Sequence, residues 1–596
     1  MGSKMTTLAE LGNYIDAGAA KIAADIVIEN GTLVNVDTAE YYKANVAIYH
    51  DRIVAVDADV SDYLNEDTKH IDATGKYIVP GLIDGHIHVE CSKLSLTRFA
   101  QAVVPHGTTS IVSGLDEYIS VVGLDGLTEV FDELAKLPMK VFWGLPYKTP
   151  YTIPESTVAY NVTGADHDKY QALEQTYGVW ETVREAIQTK DEDTLRAILA
   201  AQKYHKPIFG CSPMATGKDL NQFLMGGVHI DHESYSHKEF LEKARKGLRV
   251  VIRESSVTKF LAENIKAITE NTANVARHTS FCTDDVNAHD ILTHGHLDHM
   301  VKLAIQAGVS PMTAIQMATI NGAEAYHVDD QIGSVAPGKQ ADILLVDDPT
   351  SFNVETVISK GEIVTVAGEE QIAFMPPKRR ANILDTVHHH NLTADDFAYR
   401  VAGDAKQAVV QTINSVGPFV RKRLDVTLPV IEGVVQPSVA DDVALASVIE
   451  RYGVNGNHAR GFISGWSIKR GAIATTMAPD DNNLVVAGVN PQDMALAANT
   501  LIACGGGQVV VVDGQVISLL ELPIAGINTD MTPNELAQKE LDLKEAARQL
   551  GSQLPDPLFY LSFLPITSIP DLALTDGGNV DYPNLKYFDP ILSLEK

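Results

Sequence analysis

The 596-residue chain carries 47 Lys+Arg against 77 Asp+Glu, a formal net charge of −30. It therefore has no cationic excess to hold a nucleic-acid backbone, and an anionic membrane surface would repel it. Hydrophobic residues at 45% and charged residues at 21% are ordinary globular proportions, which excludes wholesale disorder.

At about 150 residues per domain the length corresponds to about four domains, or fewer large ones. Cys91, Cys211, Cys282 and Cys504 lie far apart with no CxxC pair. That excludes a disulfide framework, a zinc ribbon and a thioredoxin-like motif. The N-terminus is acidic and lacks a sustained apolar core, so no signal peptide is expected. Met5 follows Met1 so closely that residues 1–4 read as a remnant before a native start. No apolar run approaches the length of a membrane span. The expected setting is the cytoplasm, without nucleic-acid or membrane partners.

Residues 25–79 alternate apolar and polar positions between Asn-Gly, His-Asp and Thr-Gly breaks, the pattern of short strands. The stretch 333–365 has the same texture. The expectation is one β-sandwich composed of segments 1–79 and 326–375. Over 80–325, apolar runs such as SIVSGL, KVFWGLP, KPIFGC and LRVVIRE alternate with helical stretches at 3.6-residue spacing. This predicts a parallel α/β fold, a TIM-like (β/α)8 barrel with a doubly wound sheet as runner-up. A Pro- and His-bearing connector, including His388, His389 and His390, leads into 385–596. That segment is long enough for a separate α+β core. Its stretch 534–550 has the pattern of an amphipathic surface helix.

Three motifs follow predicted barrel strands. In Asp84-Gly85-His86-Ile87-His88, residues i and i+2 of a strand share a face, so His86 and His88 project together as half a shell for a divalent metal. Alone, this HxH also describes two histidines on a solvated edge strand. In His229-Ile230-Asp231-His232-Glu233, His232 or His229 could complete such a shell and Glu233 could move protons; a polar loop with a helix cap fits equally. In Cys282-Thr283-Asp284-Asp285, a carboxylate at the end of a strand could be a base that touches metal, or a helix cap. Their shared placement and order favour a metallohydrolase. In such a site a metal lowers the pKa of water and a neighbouring carboxylate takes its proton. The H-x-E/PCxxC pattern of the zinc deaminases is absent.

PGLIDGHIHVE, the flanking β segments and the final TDD resemble the amidohydrolase superfamily. PHGTTSIV, HIDHES, VIRE, CTDD, GHLDH, IGSVAPGKQADILLVDD, RGFISGWSIKRGAIATT and LELPIAGINTD resemble the adenine deaminase family more specifically, over about 25–596. The resemblance implies a family-specific C-terminal domain and hydrolytic removal of the 6-amino group of adenine, giving hypoxanthine and ammonia. It implies one or two divalent ions per chain (Mn2+, Fe2+ or Zn2+), held by His86, His88, Glu181, His232 and Asp284. Hydroxide at the metal would attack C6, with Asp284 as base and Glu233 as proton shuttle. A homodimer or larger homo-oligomer acting on a small purine-like heterocycle is implied as well. His296 and His299, in GHLDH, are expected to hold the loop that carries Asp284.

Four positions depart from the family pattern. Cys211 stands where a metal-binding histidine is found, and could ligate a soft ion as thiolate, which favours zinc. Otherwise the second metal is weak or absent. Asp116 replaces another histidine. Ala478-Pro479-Asp480-Asp481-Asn482-Asn483 loses two more. Lys148 replaces a small or sulfur-bearing residue; it could bind a substrate carboxylate, be carboxylated and bridge metals, or sit on the barrel rim. Asp116, Glu117 and Lys148 are the expected substrate-binding residues. Exchanging imidazole for carboxylate alters what a pocket can hydrogen-bond. The alternative is therefore a related amidohydrolase acting on another cyclic amide, amidine or N-heterocycle, and more remotely a catalytically silent binding protein.

Overall fold

The computed structural model describes residues 7–271, 274–417, 420–569 and 571–596; the expected N-terminal remnant and start at Met5 lie outside them. Eight parallel strands form the central sheet: β1 (Leu82–Asp84), β2 (Thr108–Ser113), β3 (Lys140–Pro146), β4 (Thr176–Val183), β5 (Ile208–Cys211), β6 (Ile230–Asp231), β7 (Arg249–Arg253) and β8 (Thr279–Cys282). Each pairs with its neighbour in sequence. The circle closes just beyond the ends of β1 and β8. There Gly85 N–H donates to Phe281 O at 3.0 Å and Asp284 N–H to His86 O at 3.0 Å.

The interior is built by apolar strand residues such as Ile83, Ile111, Phe142, Val179 and Ile252, all buried. Parallel strands covered on both faces read as near-continuous apolar runs, which is why KVFWGLP and LRVVIRE were legible. The helices begin where local chemistry satisfies their first N–H groups. After β6, the Ser236 hydroxyl accepts from Glu239 N–H and starts His237–Arg245.

Strands from both ends of the first two-thirds of the chain share one nine-stranded sheet. Tyr77–Pro80, which leads into β1, pairs antiparallel with Ile343–Val346, which follows the last barrel helix. Apolar residues pack on both of its faces: Ile28, Leu33 and Ile343 on one, Val27, Ala47 and Ala17 of the helix Leu8–Gly18 on the other.

The remainder, from Tyr399 to Glu595, contains an eleven-stranded sheet, the helices Pro491–Cys504 and Pro533–Arg548, and a three-stranded sheet over Leu572–Phe588. Pro533–Arg548 opens with a capping box between Thr532 and Glu535. It is not only a surface helix. Leu536, Leu543 and Ala547 are buried, and Glu540 pairs with buried Lys93 of the barrel at 2.8 Å. Asn528 Nδ2 donates to Leu94 O at 2.9 Å, and the Thr157 hydroxyl to Asp576 at 2.5 Å. The C-terminal part is thus fastened over the C-terminal mouth of the barrel. Among the described residues no helix is long and apolar enough to cross a membrane.

Candidate active site

The ends of β1, β4, β5, β6, β7 and β8 surround a cavity of about 110 Å³. His86 and His88 lie in the closing turn after β1. Their Nε2 atoms are 3.4 Å apart. Trp180 of β4 stacks on His86 with ring centroids 4.1 Å apart, and His232 stacks on the opposite face at 3.6 Å. Gly114 makes room for this indole: a Cβ there would lie 2.3 Å from Trp180.

Glu181 follows Trp180 in a bulge where β4 slips register against β5. Its φ of 54° is left-handed, as is that of Asp284 at 59°. Non-glycine residues take this conformation at a cost, and bulges re-aim side chains beside active sites. Glu181 Oε2 comes within 3.1 Å of His86 Nε2, while Oε1 faces His232 Nε2 at 3.8 Å. Asp284 Oδ1 lies 3.6 Å from Nε2 of both His86 and His88. His232 Nδ1 sits 3.1 Å from Gly210 O. With its proton on Nδ1, the imidazole donates there and keeps its Nε2 lone pair turned inward.

Five side chains predicted as ligands therefore converge: His86, His88, Glu181, His232 and Asp284. Cys211 joins them on the His232 side. The sets His86–His88–Glu181, His86–His232–Asp284 and Glu181–Cys211–His232 each keep their ligand atoms within 4.8 Å.

The donors fit a divalent cation. Burial first, then the neighbouring His232 and His88, drive His86 far below the usual imidazole range, and burial with Arg253 does the same to His232. Neutral imidazoles are the metal-binding form; His88 differs, for against the effect of burial Asp116 and Asp284 hold it well above the usual range, an excess of negative charge that a cation would also offset. Burial raises Glu181 well above the carboxylate range, with Asp284 adding to it. Burial also carries Asp284 up to about 8, against the pull of Arg253. Among the described residues Glu181 Oε2 accepts no hydrogen bond, its near neighbour being the inward-turned His86 Nε2 at 3.1 Å. Buried oxygens of this kind call for another positive partner.

Arg253, at the end of β7, sits at the centre of the acidic wall. It bonds Glu233 and Asp284, and reaches Asp285 at 3.0 Å. In the sequence, VIRE by itself assigns its arginine no role. The available signal was a cation closing a buried apolar strand, where charged residues occur only when paired. Behind HIDHES, buried Lys243 donates to Ser212 O at 2.8 Å and Asp231 Oδ1 at 2.9 Å, and to Glu233 O. It fixes the turn that carries His232 and Glu233.

The remaining expectations divide. His296 Nε2 stands 3.2 Å from the Thr283 hydroxyl and Nδ1 2.8 Å from Thr108 Oγ1, directly behind Asp284. His299 instead stacks on His294. His388 packs at the connector against Asp385 and Tyr452 O. Three expected substrate-binding residues lie outside the cavity wall. Asp116 opens the helix Asp116–Leu134, where an acid suits the helix dipole, and faces His88 Nδ1 at 3.5 Å. Its place is behind a candidate ligand. Glu117 accepts from the Cys91 thiol at 3.4 Å in a buried acidic layer. Lys148 is neither at a metal nor on an open rim. It is buried between Glu155 and Asp191, 3.2 Å from each, and Asp191 is also the N-cap of Glu192–Lys203.

Comparisons with known proteins agree with this architecture. Residues 77–364 match the amidohydrolase family and residues 418–586 the adenine deaminase C-terminal domain. The chain is 60% identical to adenine deaminase 1 of Latilactobacillus sakei over 100% of both chains. It is 54% identical to adenine deaminase 1 of Desulfotalea psychrophila over 98% of both, and 49% identical to adenine deaminase 4 of Rhizobium meliloti over 96% of both. With a barrel of amidohydrolase type, the C-terminal domain fastened over its mouth and relatives matched from end to end, the chain belongs to the adenine deaminase family.

Proposed function

We propose that the chain hydrolyses adenine to hypoxanthine and ammonia at a divalent-metal centre held by His86, His88, Glu181, His232 and Asp284. The observation that carries this reading is the convergence of those five donors at the mouth of the barrel in a chain whose relatives, matched over nearly their full length, are named adenine deaminases. That full-length match disfavours another heterocycle as substrate, the alternative raised by the exchanged histidines. A silent binding protein would have no use for the donor set.

When bound, the ion supplies Lewis acidity that brings the pKa of a water toward neutrality. The chain supplies the rest. Asp284 accepts the proton of the attacking water. One of its oxygens faces the histidines and the other is held by Arg253, so the carboxylate has a single orientation. Glu233 lies on the other arm of Arg253, its Oε1 3.9 Å from His232 Nε2. From there it delivers a proton to the departing nitrogen. A C–O bond forms at C6, the C6–N bond breaks, and the nitrogen leaves as ammonia. Asp116 orients His88 through Nδ1.

Glu181, set between His86 and His232, would help to hold one or two ions, supplying a carboxylate oxygen toward each histidine. Cys211 would be the donor on the second side; burial, then Glu181 and Glu233, raise its thiol well above the usual range, so it would ligate by giving up its proton to a cation, and such a thiolate favours zinc over manganese or iron. Cys211→Ser should weaken zinc binding at least about tenfold in chelator competition, with manganese-supported turnover within about threefold; unchanged zinc affinity would remove Cys211 from the shell. A homodimer or larger assembly rests on the family resemblance, and a cytoplasmic location on four free cysteines.

Reconstitution tests the whole reading. Protein stripped by a chelator should lose adenine turnover, followed by absorbance, and regain it on adding Mn2+ or Zn2+. An unchanged rate after verified metal removal would refute it. Lys148→Met should keep kcat/KM within about threefold, since its neighbours are Glu155 and Asp191 rather than the cavity. A loss beyond tenfold at unchanged metal content would return Lys148 to the substrate.

A further inference from the structure

One wall of the cavity comes from the C-terminal domain. The turn Ala478–Asn483 reaches it with Pro479 and Asp480. Its other polar residues are already engaged. Asp481 accepts from the Ser156 hydroxyl, and its backbone carbonyl from the Tyr452 hydroxyl. Asn482, at φ 53°, accepts from Ala478 N–H at 3.0 Å through its side chain and from Arg451 through its carbonyl. Asn483 Nδ2 donates to Thr157 O at 2.9 Å. Left-handed Asn with a local side-chain bond is a stable turn device. The turn is thus pinned on both sides, and it holds Asp480 in place.

Asp480 itself has no hydrogen bond or ion pair among the described residues. It belongs to none of the converging donor sets. It lines the same cavity as His88 after β1 and Asp284 and Asp285 after β8, and so meets the mouth of the barrel from across the domain boundary. Within the adenine reading, this placement has a chemical consequence. Neutral adenine carries N–H donors in two places only: the exocyclic amine, which must lie at the reacting centre beside Asp284 and Glu233, and the imidazole ring. A carboxylate accepts and does not donate. An acceptor outside the metal-binding set is left to meet the ring N–H.

We propose that Asp480 is a specificity-determining residue that accepts the imidazole-ring N–H of the substrate, so that the C-terminal domain selects a free base over one substituted at that ring. The inference rests on the adenine reading above. A hydrogen bond to a charged acceptor contributes about a 10–100-fold change in affinity, and a site built for an N–H rejects ligands that lack it.

The test uses metal-loaded full-length protein and equilibrium titration with hypoxanthine and 9-methylhypoxanthine. Asp480→Leu keeps side-chain bulk and removes the acceptor. It should weaken hypoxanthine binding tenfold or more, at least five times the loss on 9-methylhypoxanthine. Asp480→Asn keeps a carbonyl oxygen and should retain affinity between that of the wild type and Asp480→Leu. Metal content and melting temperature of both variants report folding; should the leucine variant not fold, the asparagine variant decides, with a loss of threefold or more confined to hypoxanthine expected. A smaller loss, or an equal loss on both ligands, overturns the inference. Wild-type protein that turns over adenine while Asp480 proves indifferent sinks this inference alone. Wild-type protein inert toward adenine sinks the reading beneath it.

Discussion

Asp284→Asn should lower kcat on adenine about 1,000-fold, within the range general-base catalysis contributes, while much of the bound metal is retained. The carboxamide has the same shape and can still offer one oxygen toward His86 and His88. It cannot take a proton from water. In the folded chain Asp284 is also the meeting point of two structural demands. Its left-handed φ of 59° lets its backbone N–H close the barrel onto His86 O at 3.0 Å, and the Thr283 hydroxyl beside it is tied to Asp84 at 2.6 Å. The substitution leaves these backbone bonds intact, so the melting temperature should change little compared with kcat. Steady-state ammonia release with metal analysis on the same sample checks this. A variant with full metal and kcat within tenfold of wild type would remove Asp284 from the role of base.

Arg253→Met should be the more damaging change, because it acts on stability and catalysis together. The guanidinium is buried and bonded to Glu233, Asp284 and Asp285. Removing one partner of a buried ionic group leaves the others uncompensated, at about 3–5 kcal/mol. The carboxylates would then lose their ionised form or their orientation, so turnover should fall at least as far as in Asp284→Asn. Arg253→Lys separates charge from geometry. A lysine restores one positive charge but lacks the fork that spans three carboxylates. It should recover most of the lost stability in denaturant titration and little of the lost kcat. Equal recovery of both would mean that Arg253 contributes charge alone.

The residues that were easiest to read in the sequence owe their legibility to local geometry. His86 and His88 are two apart at the end of an apolar strand, and that spacing alone sets them on one side. His232 and Asp284 likewise follow short apolar runs. Glu181 had no such signal. It lies in YGVWETV, an ordinary strand, and a bulge plus a left-handed residue turn it inward; only family resemblance singled it out. The surroundings of Lys148 are not legible locally, because its partners are distant in sequence and ordinary in type. Asp191 reads as a helix cap and serves as one, and nothing local shows that it also takes a lysine from the loop after β3. Asp116 lies one layer behind the cavity wall, against a candidate ligand, and spacing along the chain does not report such a layer. In the sequence Asp480 is only one residue of a changed motif, since no periodicity around it reports that its turn reaches the mouth of a barrel whose strands run from Leu82–Asp84 to Thr279–Cys282.

Hydrolysis of a purine C–N bond in this cavity is tested by mass analysis of the product formed from adenine in 18O-enriched water by the metal-loaded protein. One ammonia released and one solvent oxygen incorporated per hypoxanthine formed are expected from wild type and, far more slowly, from Asp284→Asn. Adenine left unchanged, or hypoxanthine without solvent oxygen, would contradict it.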